Sequence, residues 1–283
     1  MPGSRPIPTA SARGWAIDPQ TDTGVPALSG TPFSLAGRRV LVTGASRGIG
    51  WAIAQAISDA GAHVILSSRD AAVLADRAET LRDAGGQADI AAFDAATEAG
   101  ASAGFKSATE QFGPIDVLVN NAGVGMRKAM AETTMTDFDR VIDTNLRGPY
   151  VLIQCAADHM AACGTGGAIV NIGSALSILG RENAALYGAS KHALAGLTKS
   201  LARELAPSGI RINMVCPGYV ETEMMTAQRA DTAFDQAVCA RTPLGRWARP
   251  DEIGGAVVFL ASSAASYITG HLLAVDGGMT VSV

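Results

Sequence analysis

Residues 39–57 constrain the fold more than any other stretch. The apolar run Arg39-Val40-Leu41-Val42 leads directly into Thr43-Gly44-Ala45-Ser46-Arg47-Gly48-Ile49-Gly50, after which Ile53, Ala54 and Ile57 recur at helical spacing. A strand that turns through glycines straight into a helix is the first part of a βαβ unit, and such units build parallel sheets covered by helices. Gly44 permits the tight turn, Gly48 lets backbone amides approach a pyrophosphate, and Gly50 allows close helix-to-strand packing. The helix amino terminus favours the anion. The spacing Gly-x-x-x-Gly-x-Gly departs from the general Gly-x-Gly-x-x-Gly fingerprint, but its strand-before, helix-after context makes it a nucleotide-cofactor candidate.

The rest of the chain alternates in the same way. His63-Val64-Ile65-Leu66-Ser67 is a second strand; a helix over 71–84, a strand near 87–93 and a helix over 97–112 follow. Ile115-Asp116-Val117-Leu118-Val119 is a fourth strand, and a helix-like stretch over 136–163 precedes the buried strand 168–173. A helix opening near Tyr187, a strand over 210–215, a mixed helical stretch over 222–244, a helix from Pro250-Asp251-Glu252 and a strand over 270–275 complete the series. The pattern predicts one doubly wound α/β domain over residues 37–283, Rossmann-type, with a mostly parallel sheet and helices on both faces. Residues 1–36 hold six of the twelve prolines and no sustained apolar period, so they read as a flexible extension.

Composition excludes several functions. A net charge of −4 gives no basic surface for nucleic acid, and no cluster of Lys or Arg points to an anionic membrane. No apolar run reaches the roughly eighteen residues of a membrane span. Cys155, Cys163, Cys216 and Cys239 lack metal-type spacing and read as buried thiols, and His63, His159, His192 and His271 make no ligand cluster, so no metal is expected. The chain reads as soluble and cytoplasmic.

Two stretches carry chemistry. If Tyr187 opens a helix, Tyr187 and Lys191 lie one turn apart on one face, and a fixed ammonium would bring the phenol's pKa of about 10 nearer neutrality. Such a group can exchange a proton with a substrate oxygen. Ser174 follows the run Ala168-Ile169-Val170-Asn171-Ile172-Gly173, which places its hydroxyl at a carboxyl strand end, where open α/β sheets bind ligands. The second strand ends in Ser68-Arg69-Asp70. An acidic residue there suits the ribose hydroxyls of NAD, whereas Arg69, with Arg47 nearby, suits the extra phosphate of NADP. NADP(H) is therefore favoured over NAD(H). Asp70 reads first as a cap of the next helix and second as a group that reaches the ribose.

Taken together, the glycine turn, the run Asn120-Asn121-Ala122-Gly123, and Ser174 with Tyr187-Gly-Ala-Ser-Lys191 resemble the short-chain dehydrogenase/reductase family. The resemblance runs from about residue 37 to the carboxyl terminus. It implies a seven-stranded sheet of order 3-2-1-4-5-6-7 and hydride transfer between a nicotinamide cofactor and a carbonyl or secondary alcohol. It also implies catalytic roles for Ser174, Tyr187, Lys191 and Asn145, with Asn145 bending its helix and holding a water that connects Lys191 to solvent. Cofactor contacts are implied at Gly44, Ser46, Arg47, Gly48, Ile49 and Gly50; at Ser68 in the usual acidic position, Arg69 and Asp94; and at Asn121, Ala122 and Gly123. Tyr187 and Lys191 share the nicotinamide end with the turn Pro217-Gly218, Val220 and Thr222. A homotetramer or homodimer is implied as well. Framework segments such as Asp276-Gly277-Gly278-Met279-Thr280 are similar to gluconate 5-dehydrogenase-like members, which implies a keto sugar acid or small ketone as substrate. A 3-oxoacyl-(acyl carrier protein) reductase and a non-catalytic NADPH-binding sensor are the competing readings; a carrier-protein user would show basic docking residues, for which Arg241, Arg246 and Arg249 are the candidates.

Overall fold

Strand β1 (Arg39–Thr43) lies at the middle of the sheet because both of its faces are apolar: Val40 and Val42 point to one layer of helices and Leu41 to the other, and all three are fully buried. In the computed structural model, which describes residues 31–282, β1 pairs with β2 (His63–Ser67) on one side. On its other side it pairs with β4 (Val117–Asn120). β3 (Gln87–Ile90), β5 (Gly167–Ile172), β6 (Ile210–Pro217) and β7 (Leu272–Val275) complete a seven-stranded sheet of order β3-β2-β1-β4-β5-β6-β7. Every pairing is parallel, so the sheet is wholly rather than mostly parallel.

Helices α1 (Gly48–Asp59), α2 (Ala71–Asp83), α3 (Glu98–Phe112), α4 (Met135–Ile142), α5 (Gly148–Cys163) and α6 (Ala185–Leu205) are followed by α7 (Thr226–Ala230), α8 (Thr232–Arg241) and α9 (Asp251–Ala261). One core layer joins Ile53 and Ile57 of α1, Leu74 of α2 and Ile253 and Val257 of α9 to Val40, Val42 and Val64 of the sheet. The opposite layer joins Phe105 of α3 and Leu152, Ile153 and Met160 of α5 to Leu41, Ile65, Leu118 and Ile169. Asp70 accepts bonds from the amides of Ala72 and Val73, which makes it the α2 cap.

The helix-like stretch expected over 136–163 is α4 and α5 joined through a π-helical turn, Asp143–Arg147, with Asn145 at its centre. The mixed stretch over 222–244 breaks at Asp231, whose carboxylate caps α8 through the amides of Ala233 and Phe234. The cysteines do not form the uniformly buried set expected: Cys216 is buried, Cys155 and Cys239 are half-buried, and Cys163 is exposed at the end of α5, just before a left-handed Gly164. Among the described residues no metal-ligand cluster occurs, and no helix is long and apolar enough to cross a membrane. Of the extension expected over 1–36, residues 1–30 lie outside the described residues; in the remainder, Leu35 is 1% exposed and its amide donates to the Ala60 carbonyl.

Candidate active site

The glycine turn after β1 is clamped to the end of β4. Thr43 Oγ1 accepts from the amides of Asn121 and Ala122, both at 3.1 Å, while Asn121 Nδ2 donates to the carbonyls of Thr43 at 2.9 Å and Gly44 at 3.1 Å. Gly44 takes a left-handed φ of +66°, and a Cβ on Gly50 would lie 2.2 Å from the Gly44 carbonyl oxygen, so turn and helix meet backbone to backbone. Arg47 at the α1 N-cap makes no side-chain capping bond, and the first turn of α1 holds no acidic residue. The first-turn amides are thus left for an outside anion, as a pyrophosphate site requires. Across the cleft, a Cβ on Gly48 would lie 3.5 Å from the Thr222 methyl, so the turn and the segment after β6 face each other. Gly218 donates to the Val275 carbonyl at 3.1 Å, and Val220 is buried, bridging to Ala248.

At the other end of the cleft, Arg47 and Arg69 are both exposed, and Arg47 lies 3.9 Å from Glu223. Ser68 Oγ lies 3.5 Å from the Asp70 carbonyl. With its carboxylate spent on capping α2, Asp70 offers little to a ribose. Asp94 makes a turn bond to the Ala96 amide at 3.0 Å. Arg77, which the sequence reading missed, donates from Nε to the Ser46 carbonyl at 3.1 Å while its guanidinium stacks 4.7 Å over the Trp51 ring. It buttresses the glycine turn from α2. No sequence spacing marks it, because the contact joins two different βα units.

The residues expected to transfer the proton lie where β5, α6 and the π-helical turn meet. Ser174 and Ser177 cap each other: the Ser174 amide donates to Ser177 Oγ at 3.2 Å, and Ser174 Oγ accepts from the Leu176 amide at 3.1 Å. The Ser174 hydroxyl also reaches the Tyr187 phenol. Lys191 is 5% exposed; its Nζ donates to the Ile172 carbonyl at 2.8 Å and lies 5.9 Å from the Tyr187 ring centroid. A methyl on Gly123 would lie 3.3 Å from Asn145 Oδ1 and 3.6 Å from Lys191 Nζ, which brings the Asn-Ala-Gly run into the same site.

The pKa directions correct one expectation. Burial pushes the Tyr187 phenol above its ordinary value, with the Ser174 bond pulling the other way, so the protein alone does not bring the phenol toward neutrality. Burial also lowers Lys191 to about 8, which weakens the charge expected to act on Tyr187.

Asn145 is likewise more committed than expected. Its Oδ1 accepts from the Val124 amide at 2.8 Å, and its Nδ2 donates to the Val124 carbonyl at 3.0 Å and to Ser190 Oγ at 3.1 Å. The amide side chain is satisfied by protein, so what remains for a water is the main chain of the widened turn, where i+5 bonding leaves a carbonyl without its usual partner. A buried ladder escaped the sequence reading altogether: Asn120 Nδ2 donates to Asn171 Oδ1, Asn171 Nδ2 to Thr198 Oγ1, both at 3.0 Å, and Thr198 Oγ1 to the Leu194 carbonyl. It ties β4 and β5 to α6, the helix that carries Tyr187 and Lys191. The only available signal was a polar residue inside each apolar strand.

Comparison with known proteins identifies the family. Residues 44–280 match the family described as enoyl-(acyl carrier protein) reductase. Gluconate 5-dehydrogenase of Gluconobacter oxydans (strain 621H) is 41% identical over 251 residues, covering 89% of this chain and 98% of the relative. Cis-4-hydroxycyclohexanecarboxylate dehydrogenase of Sinomonas cyclohexanicum is 43% identical over 249 residues, 87% of this chain and 98% of that protein. A gluconate 5-dehydrogenase from Burkholderia cenocepacia J2315, solved in complex with NADP and tartrate, superposes with a TM-score of 0.86 at 41% identity, over 89% of this chain and 98% of its own. The chain therefore belongs to the short-chain dehydrogenase/reductase family and is an oxidoreductase of the kind that acts on CH–OH groups.

Proposed function

We propose that this oxidoreductase interconverts a keto acid of small size, a keto sugar acid among the candidates, and the corresponding secondary alcohol, using NADP(H). The observation that carries the reading is the convergence of half-buried Ser174 and Tyr187 with buried Lys191 at the carboxyl end of β5. The cofactor, when bound, supplies or accepts the hydride. Tyr187, kept protonated by burial, donates its proton to the developing alkoxide, and Ser174 holds the same oxygen by a hydrogen bond that strengthens as charge builds. Lys191, held by the Ile172 carbonyl, carries the ribose contact and feeds Tyr187; the main chain of the Asn145 turn supports the water that reloads it.

NADP(H) is supported by Arg47 and Arg69, by the withdrawal of Asp70 into its cap, and by the NADP in the Burkholderia relative. Both relatives compared by sequence are named for carboxylic acids that carry a secondary alcohol, which supports an acid over an acyl thioester. The docking residues expected of a carrier-protein user are mostly neutralised: Arg246 pairs with Glu252 at 2.8 Å and Arg249 with Asp251 at 3.1 Å. A homo-oligomer built on α5 and α6 is supported by an apolar groove along them that includes Leu146, Tyr150 and Leu197.

The test is Tyr187→Phe. NADPH affinity is expected to stay within about twofold while turnover of 5-ketogluconate and 4-oxocyclohexanecarboxylate is lost, since only the transferred proton is deleted. Unchanged turnover would overturn the assignment.

A further inference from the structure

Two arginines from separate loops stack on one aromatic shelf, and a third, Arg241, acts on one of them from α8. Tyr219, just after Pro217-Gly218, stacks edge-on against Trp247 at 5.1 Å and Phe234 at 5.8 Å. The Arg127 guanidinium lies 4.9 Å over the Phe234 ring. The Arg181 guanidinium lies 5.4 Å from that same ring and 5.3 Å from the Tyr219 ring, and it bonds the Tyr219 hydroxyl. Arg241 belongs to α8, seven residues after Phe234 and on the same helix face. Arg127 follows β4 by way of the Asn-Ala-Gly run, and Arg181 sits between Ser174 and Tyr187, so all of these groups lie at the carboxyl ends of the strands.

What sets the three apart is the lack of a counter-charge. Every other arginine of the surrounding segments is paired: Arg229 with Glu221 at 2.6 Å, Arg246 with Glu252 and Arg249 with Asp251. Among the described residues no carboxylate lies within 4.0 Å of Arg127, Arg181 or Arg241. The Arg181 guanidinium is pulled below its ordinary value first by burial and then by Arg127 and Arg241, which is the signature of positive groups held together without an anion. Stacking on rings orients the planar forks while leaving their edge donors free for a planar oxyanion.

We propose that Arg181, flanked by Arg127 and Arg241 on the Tyr219–Phe234 shelf, binds the carboxylate of the substrate and thereby latches α8 over the site. This rests on the carbonyl–alcohol reading above and names what selects its substrate. Arg181 is the central residue, touching both rings; Arg241 rides on the helix that closes; Arg127 holds the far side. Neutral ketones would meet the same proton donor with no latch.

The test is calorimetric titration of the full chain, saturated with NADP+ so that no hydride can pass to the ketone, with 4-oxocyclohexanecarboxylate and with its methyl ester, alongside separate assays of NADPH oxidation by both. The acid is expected to bind about ten- to hundredfold more tightly than the ester, as one charge-assisted arginine contact provides. Arg181→Gln should bring the acid to the level of the ester and leave the ester unchanged; Arg241→Gln, on an exposed side chain, should do so in part without touching the fold. Equal binding of acid and ester, including no binding of either, overturns the proposal. Turnover of either ketone keeps the oxidoreductase reading regardless of charge preference, and tight acid binding without any turnover sinks that reading alone.

Discussion

Replacing Lys191 with methionine should abolish activity and, at neutral pH, make the apoprotein more stable. The ammonium is 5% exposed, and burial lowers its pKa from 10.5 to about 8. Folding therefore opposes its charge. In the unfolded chain the group stays protonated up to its ordinary pKa, so between about pH 8 and 10.5 the unfolded state binds the extra proton and stability rises with pH. Below pH 8 the full penalty is present. The difference of about 2.5 units corresponds to about 3 kcal/mol. Against this stands the bond from Nζ to the Ile172 carbonyl, whose loss leaves a buried acceptor and costs about 1–3 kcal/mol at every pH.

The two terms separate by their pH dependence. Lys191→Met should gain on the wild type by up to about 2 kcal/mol at pH 7, a shift of about 2–4 °C per kcal/mol in Tm. By pH 10.5 that advantage should have fallen by about 3 kcal/mol, because only the wild type sheds the penalty. Urea unfolding of both apoproteins at pH 7, 8, 9, 10 and 10.5 measures it, with Cys216 replaced by alanine in both because its thiol is coupled to Lys191, and titrations remote from Lys191 cancel in the difference. A stability difference that does not change between pH 8 and 10.5 would refute the reasoning, whatever its sign at pH 7.

Two further substitutions test the frame around the site. Gly50→Ala would place a methyl 2.2 Å from the Gly44 oxygen and 2.3 Å from Asn121 Nδ2, so the glycine turn must move; about 1–3 kcal/mol of overpacking should appear as lower Tm together with weaker NADPH binding by calorimetry. Thr198→Val keeps the volume but leaves Asn171 Nδ2 without its acceptor in a fully buried position, and should cost about 1–3 kcal/mol in urea unfolding.

The parallel sheet was legible because its signals are local: apolar runs of strand length, each followed by a helical period. The glycine turn, Ser174, Tyr187 and Lys191 were legible for the same reason, since each motif sits within one strand-to-helix connection. What stayed hidden is made of contacts between units. The Arg77 bond to Ser46 spans two βα units, and the Asn120–Asn171–Thr198 ladder crosses two strands and a helix. The shelf needs Arg127 and Arg181 on two loops and Arg241 on α8, segments that only the fold brings together. The raised Tyr187 pKa was missed for a different reason: spacing gives the neighbour's charge but not the burial, and here burial is the larger effect.

That balance explains how α6, which carries Tyr187 and Lys191, is held. Apolar packing is non-directional and would let a helix rotate or slide by small amounts at little cost. The packed patch beneath α6 next to the site is small, Leu194 and Ala195 against Met214 and Cys216, whereas the inward face of the helix also buries Ser190, Lys191 and Thr198. Each of these has a fixed partner: Asn145 for Ser190, the Ile172 carbonyl for Lys191, Asn171 for Thr198. Three directional bonds, two from adjacent residues and one about two turns further on, fix the rotation of α6, and that rotation sets where the Tyr187 hydroxyl meets Ser174. A purely apolar face would give a more stable helix, but one whose phenol was less well aimed.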